Sequence, residues 1–554
     1  MATSVVSPLN PSLTRYTAQR RSPDTDRHFA ACLVTGLTVV ALAVHGYHPF
    51  AEDGGLYIAG IKRVLNPTLY PHGTDFVLGH LRFSLFAPAL AAMVRLSGVR
   101  LELVLLLIHL SSIWLTLAAG WLLASRCFCG RRERAGAVAL LAMWLTLPVA
   151  GTSLVLMDPY VTARSISTPS VLLSLVGALD FVGSVRSHEL WRWSGLVLAI
   201  VSLAVAAAVH PLMAAYGFGC VLALSTTIPE RRSTQMGAIL GLCLAAVIVA
   251  SVLQTIAQPE SEAYHRVAMS RYYWFLSQWH WYELAGLAAP LAITAGFAWR
   301  ARRNGESAQY AILLMASVVG WASVVVAALF ARTNSTTHLV ARLQPLRVFQ
   351  QVYIVMILFL GAALSGWLRR RLPALVGALG LLGVVMFVAE RQTFPASPHV
   401  ELPSRTANAW TQAFEWIRAN TPVDAVFALD ADYITLPGED AQCFRAIAER
   451  SALPDYSKDG GEAAITPELS AAWAAGQRAQ AWLSEESDAE RLQALGSEAA
   501  DWVVLERSAT TSFSCDYANV AVKVCRLPNA NSADGVRLSS RSLPASRLRQ
   551  QATR

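Results

Sequence analysis

Glu52-Asp53-Gly54-Gly55 comes immediately after the first long apolar stretch, 29–47, and concentrates more chemical capacity than any other four residues of the chain. Carboxylates just outside a bilayer span keep much of their hydration, so they can bind a cation or accept a proton beside chemistry at the membrane surface. A further acid, Asp158 in Asp158-Pro159-Tyr160, follows the third apolar stretch. Both acids have a plainer reading. Asp53 before two glycines can cap a helix beginning near Leu56, and Asp158 before Pro159 suits a turn.

Cations on the same side as the acids run against the usual distribution of charge around membrane spans, which makes them candidate phosphate ligands. Lys62 and Arg63 follow the first acidic motif, Arg164 follows Asp158, Arg266 and Arg271 lie in the 258–283 loop, and Arg342 and Arg347 precede the span at 348–367. A guanidinium offers a planar fork of donors that matches phosphate oxygens, whereas contact with lipid headgroups is the competing explanation for each. Arg347, in Gln344-Pro345-Leu346-Arg347 at the mouth of a span, is the foremost of them. His210-Pro211, at a tight turn, stands out from seven histidines near that side, the others being His48, His72, His80, His265, His280 and His338. The run Tyr272, Tyr273, Trp274, Trp279, Trp281 and Tyr282 can stack on a sugar ring, although an interfacial aromatic belt has the same composition.

The elements that must position these groups are set by hydropathy. With 54% hydrophobic and 15% charged residues, the chain has more apolar surface than a soluble domain can hide, so it reads as a polytopic α-helical membrane protein. Eleven apolar stretches are expected to cross: 29–47, 101–124, 135–154, 169–185, 193–208, 213–227, 236–258, 284–300, 310–330, 348–367 and 374–389. Arginines at 15, 20, 21 and 27, at 126, 131, 132 and 134, at 186 and 192, at 231 and 232, at 300, 302 and 303, and at 369, 370 and 371 all fall on one side of that topology. The positive-inside rule makes that side, and the N-terminal segment 1–28, cytoplasmic. The first apolar stretch is expected to be an uncleaved anchor. The short stretch 83–97 would put the 126–134 arginines outside if it crossed, so it is read as a helix lying on the outer surface within a long outer loop, 47–100. The net charge of +8 is mostly that of these topological arginines, and no basic stripe interleaved with aromatics points to nucleic acid.

After the transmembrane part, 29–390, the composition turns polar and proline-punctuated. Residues 391–528 read as a small extracytoplasmic α/β domain, with an amphipathic helix at 411–419 and strands at 425–429, 500–505 and 518–525, followed by a Ser/Arg-rich tail, 529–554, expected to be disordered. Phe444-Arg445, Glu449-Arg450 and Lys458-Asp459-Gly460-Gly461 read as a solvated, salt-bridged helix and turn, with reach over the membrane site as the alternative. Of Cys443, Cys515 and Cys525, the nearby pair 515 and 525 is favoured for a disulfide on separation alone. Cys127-x-Cys129 lacks the second ligand pair of a zinc site.

An outer acidic motif after span one, a second after span three and a trailing outer domain together resemble the GT-C superfamily of polyprenyl-phosphate-sugar-dependent membrane glycosyltransferases. The resemblance implies transfer of a sugar from a polyprenyl-phosphate-linked donor to an extracytoplasmic acceptor, in the cell envelope and at a bacterial inner membrane. It further implies that Asp53, with Glu52 competing, serves as base or metal ligand, that Asp158 assists, and that Arg347 contacts the donor phosphate. Arg164, Lys62, Arg63, Arg271 and His210 are then the further substrate-binding candidates, and a divalent cation held by Asp53 and Asp158 is an option it leaves open. No Walker, HExxH, GxSxG or Rossmann motif occurs, which favours a lipid-linked over a nucleotide-linked donor. A lipid-sugar flippase would place charges at mid-bilayer on broken helices, and a non-catalytic assembly scaffold would tolerate loss of Asp53. Both readings stay open beside the enzyme.

Overall fold

Each apolar stretch read from the sequence forms helix, since a segment in lipid satisfies its backbone most directly by bonding to itself. The computed structural model describes residues 23–186, 193–229, 231–402, 408–436 and 443–528; Arg15, Arg20, Arg21, Arg192 and the 529–554 tail lie outside them. The helices of the first half are α1 (Pro23–His45), α2 (Asp53–Leu65), α3 (Phe86–Ser97), α4 (Leu101–Cys127), α5 (Arg131–Met143), α6 (Arg164–Arg186) and α7 (Trp193–Val209). Those of the second are α8 (Pro211–Ser225), α9 (Arg232–Ile256), α10 (Trp281–Arg303), α11 (Ser307–Phe330), α12 (Phe349–Trp367) and α13 (Leu372–Thr393). Among the described residues eight helices are long and apolar enough to cross a membrane; α7 and α8 are apolar but shorter. The outer faces of α9 and α13 need lipid as their solvent, because Leu240 and Ile256 on the one and Val376 and Leu381 on the other are more than half exposed.

The stretch expected to cross at 135–154 behaves differently. Its helix, α5, stops at Met143, and the chain then folds on itself through a bridge between Pro148 and Val155, with Ala150 and Ser153 at positive φ. Pro148 has no N–H to continue a helix, and the return leg, bonded from Leu156 N to Leu147 O at 3.2 Å, delivers Asp158. The stretch 83–97 also fails to run straight: α3 lies at 97° to the preceding turns, Thr74–Phe83, and packs on α2 while turning Met93 and Leu96 outward.

The bundle has two distinct ends. At one, Arg132 donates to Arg369 O at 2.9 Å, Gln309 to Cys127 O at 2.9 Å, and Arg126 pairs with Asp180 at 2.8 Å, which gathers the basic turns together. At the other lie the acidic motifs and a small α/β domain. Its sheet has the order β2-β1-β3-β5-β4, from β1 (Val426–Ala428), β2 (Ser451–Ala452), β3 (Trp502–Glu506), β4 (Cys515–Ala518) and β5 (Val522–Arg526); β2 and β3 run parallel to β1, and the β3–β5 and β5–β4 pairs are antiparallel. The expected helix is present as α14 (Ala409–Asn420), with Phe414 and Ile417 fully buried. The expected strand 518–525 is instead a hairpin: Asn519 Oδ1 accepts from Ala521 N at 2.9 Å and Val522 N at 3.0 Å, which forms an Asx turn in its middle. Cys515 and Cys525 face each other on this hairpin and are disulfide-bonded, while Cys443 is a buried free thiol.

Candidate functional site

The acidic motif is built for close approach. A Cβ on Gly54 would meet Pro49 O at 2.4 Å and Tyr160 Cβ at 3.0 Å, and a Cβ on Gly55 would meet Cys443 Cβ at 2.1 Å. Absent side chains thus let the start of α2 press on the Asp158-Pro159-Tyr160 turn on one flank and on the α/β domain on the other. Glu52 precedes α2 at φ 48°, a conformation that non-glycine residues adopt at a cost of about 1–3 kcal/mol. Asp53 is the first helical residue, and no side chain caps α2. The capping reading of Asp53 therefore gives way to a different partner.

That partner is Arg164, the first residue of α6. Its Nη2 lies 3.0 Å from Asp53 Oδ2 and its Nε 2.9 Å from Asp158 Oδ2, so one guanidinium joins both acidic motifs. Asp158 also accepts from the Thr162 hydroxyl at 3.0 Å. Lys458, carried by the α/β domain at the start of α15 (Lys458–Ile465), pairs with Glu52 and lies 3.7 Å from Asp53 Oδ1. Burial works to raise the Asp53 pKa, but Lys458, Arg164 and Arg347 outweigh it and hold this carboxylate well below the usual range. Glu52 and Asp53 in turn outweigh burial at Lys458 and raise its pKa. Lys458 is thus a site residue; its flanking pair is likewise interior, with Arg445 Nη1 2.6 Å from the fully buried Asp459, so the solvated turn expected from the sequence is corrected.

These groups open onto a cavity of about 1500 Å³ between the bundle and the α/β domain. Arg347, Arg271, His210, Tyr273, Trp274 and Tyr282 line it together with Glu52, Asp53, Asp158, Arg164 and Lys458. Arg347 stacks its guanidinium 5.5 Å from the Tyr273 ring centre, and its buried Nε has no hydrogen-bond partner among the described residues. The turn that presents it is held by Gln344 at φ 47°, whose carbonyl, with that of Leu343, accepts from the Tyr216 hydroxyl at 2.9 and 2.6 Å. His210 caps α8 by accepting from Met213 N at 3.4 Å on Nδ1, which leaves the ring proton on Nε2. Burial, then Arg164 and Arg347, lower its pKa to about 3, so it serves the site as a neutral donor.

Other candidates lie elsewhere or are already committed. Lys62 pairs with Glu449 at 2.6 Å and donates to Ala446 O at 2.8 Å, and Arg63 binds the carbonyls of Pro67 and Leu69; neither lines the cavity. Arg271 does line it, but its fork donates to Ser457 O at 2.8 Å and Tyr456 O at 2.9 Å, clamping the α/β domain to the bundle. Trp279 is buried and Trp281 faces outward, so the aromatic run splits between lining and packing. For a divalent cation the residues do not fit: the Arg164 guanidinium already stands between Asp53 and Asp158, and no group of three or more His, Cys, Asp or Glu able to hold a metal forms among the described residues.

The chain is a polytopic helical membrane protein with a small C-terminal α/β domain seated over one end of its bundle. No family model matches it, and no curated protein is similar to it in sequence. Among solved structures, it is similar to the archaeal oligosaccharyltransferase AglB from Archaeoglobus fulgidus in complex with an inhibitory peptide and a dolichol-phosphate, at a TM-score of 0.49 and 10% identity, over 87% of this chain and 69% of that one. At that distance the likeness assigns no role to any residue.

Proposed function

We propose that this protein is a membrane glycosyltransferase that moves a sugar from a polyprenyl-phosphate-linked donor to a hydroxyl-bearing acceptor on the extracytoplasmic side. The observation that carries the reading is the cavity itself: at one end of a lipid-facing bundle, a guanidinium with an unpartnered donor, Arg347, shares a space with the carboxylates Asp53 and Asp158. A phosphate requires the first and a hydroxyl nucleophile requires the second. Arg347, with Nε2–H of His210, receives the donor phosphate. As the acceptor oxygen bonds to the anomeric carbon, the bond from that carbon to the phosphate oxygen breaks. The electron pair leaves with the phosphate, and the acceptor proton passes to Asp53.

Asp53 is a weak base while three cations surround it. A bound phosphate offsets the field of Arg347 and adds negative charge nearby, which raises the proton affinity of Asp53 as the donor arrives. Arg164 holds Asp53 and Asp158 in place throughout, a positioning role. The arginine-rich end of the bundle faces the cytoplasm in this reading, and the cavity and the α/β domain face outward. The test is transfer of radiolabelled sugar by the purified protein from defined polyprenyl-phosphate sugars. Binding of these donors without transfer to any acceptor would replace the enzyme with a non-catalytic carrier or scaffold.

A further inference from the structure

One acid of the cavity wall has no part in the site described above. Glu390, near the end of α13, is 6% exposed and lines the cavity, and its Oε2 has no hydrogen-bond partner among the described residues. It lies one helical turn before Phe394, which packs on Ala51 and Tyr160, the neighbours of Glu52 and Asp158. Arg391 beside it is turned away, donating to Ser397 O at 2.8 Å. The other buried or half-buried acids of the wall each face a cation or a donor, Asp53 with Lys458, Asp158 with Arg164, Glu283 with His280 N and Glu462 with His80, although Oε2 of Glu462, like that of Glu390, has no hydrogen-bond partner among the described residues.

The Glu390 carboxyl is hydrogen-bonded to the Thr146 hydroxyl, which also lines the cavity. Behind it stands His45, whose Nε2 is 2.9 Å from Ala142 O and whose Nδ1 is 2.8 Å from Thr146 Oγ1. A carbonyl only accepts, so Nε2 carries the hydrogen, and in a neutral imidazole Nδ1 then accepts from Thr146. The hydroxyl hydrogen is thereby committed to His45. What the pair leaves without a donor is Oε2 of Glu390, an acceptor that a ligand hydroxyl completes.

We propose that Glu390 and Thr146 form a second subsite, on the α13 side of the cavity, that receives a hydroxyl group of the transferred sugar or of the acceptor. The inference rests on the glycosyltransferase reading for the identity of the ligand, but not for the existence of the subsite. In the transfer assay, Glu390→Leu, of similar volume and without an acceptor oxygen, should raise the KM of the substrate that owns the hydroxyl about five- to a hundredfold and leave the other KM in place. Donor and acceptor titrations tell the two sources apart, and Glu390→Gln, which keeps one acceptor oxygen, should fall between. Both KM values within twofold of the parent would overturn the subsite.

A second measurement needs neither transfer nor a variant. The protein in nanodiscs is treated with dicyclohexylcarbodiimide, and the adduct at Glu390 is read by peptide mass spectrometry. An adduct suppressed by a monosaccharide-bearing polyprenyl phosphate or by a sugar acceptor, and not by bare polyprenyl phosphate, supports the subsite even if no sugar is ever transferred. No adduct, or an adduct indifferent to every sugar-bearing compound, refutes it.

Discussion

Replacing Arg164 by Met keeps the bulk of the side chain and removes the cation that joins the two acidic motifs. Its side chain is 8% exposed and that of Asp158 3%, so the substitution strands a buried carboxylate with the Thr162 hydroxyl as its remaining partner. Breaking a buried pair from one side costs on the order of 3–5 kcal/mol, because the desolvated charge left behind has no compensation. Asp53 suffers less, since its side chain is 36% exposed and Lys458 stays 3.7 Å away. Arg164→Lys keeps the charge but cannot reach both acids with a fork, and should cost about 1–3 kcal/mol. The decisive variant is Arg164→Met with Asp158→Asn: it removes the stranded charge and should recover more than half of the loss. Mixed-micelle unfolding of the four proteins, followed by tryptophan fluorescence, measures the cycle. Equal stability of Arg164→Met and the parent, or no recovery in the double variant, would refute a buried charge bridge between the motifs.

Asp53→Asn should abolish sugar transfer while shifting unfolding by less than about 1 kcal/mol, because Arg164 keeps Asp158 and Lys458 keeps Glu52; parallel loss of fold and activity would show a structural role instead. Arg347→Lys should weaken donor affinity about five- to a hundredfold through loss of the forked contact, and Arg63→Lys, outside the cavity, should match the parent in the same titration. A topology reporter fused after Thr393, where α13 ends, should read extracytoplasmic and one at Gly130 cytoplasmic; the reverse at either point would turn the site toward the wrong face of the membrane. In the α/β domain, Asp488 accepts from Ser512 N at 2.6 Å and pairs with Arg491 at 2.6 Å. Although burial opposes it, these bonds lower the Asp488 pKa to about 2 from an ordinary 3.8. A depressed carboxylate stabilises the fold above its unfolded pKa and ceases to do so as pH falls through the folded one. On the order of 1–2 kcal/mol should therefore be lost between about pH 4 and pH 2, and Asp488→Asn should flatten that part of the stability profile.

Local order was legible along the chain wherever one physical rule acts alone. Apolar length placed the eight helices that are long and apolar enough to cross and the shorter α7 and α8, amphipathic spacing placed α14, and short separation paired Cys515 with Cys525. Where two rules compete, the reading failed: 135–154 is apolar enough to cross, yet its helix stops at Met143 and Pro148 cannot continue it, and 518–525 is strand-like, yet Asn519 turns it.

The sequence by itself determined that this is a membrane-embedded helical chain with its acids and its arginine clusters at opposite ends, because hydropathy and charge distribution are properties of residue type and order. It also nominated Glu52, Asp53, Asp158, Arg164, His210 and Arg347, all of which line one cavity. Only the tertiary structure decided which cations those acids hold. Arg164 lies 111 positions from Asp53 and Lys458 406 from Glu52, and nothing in spacing ranks them above Lys62, which sits nine residues from Asp53 and turns to Glu449 instead. Glu390 is the sharper case, an acid at the end of an ordinary span that no motif marks. Its interest arises from what does not surround it, and a missing partner becomes visible only when the packing of every neighbour has been set.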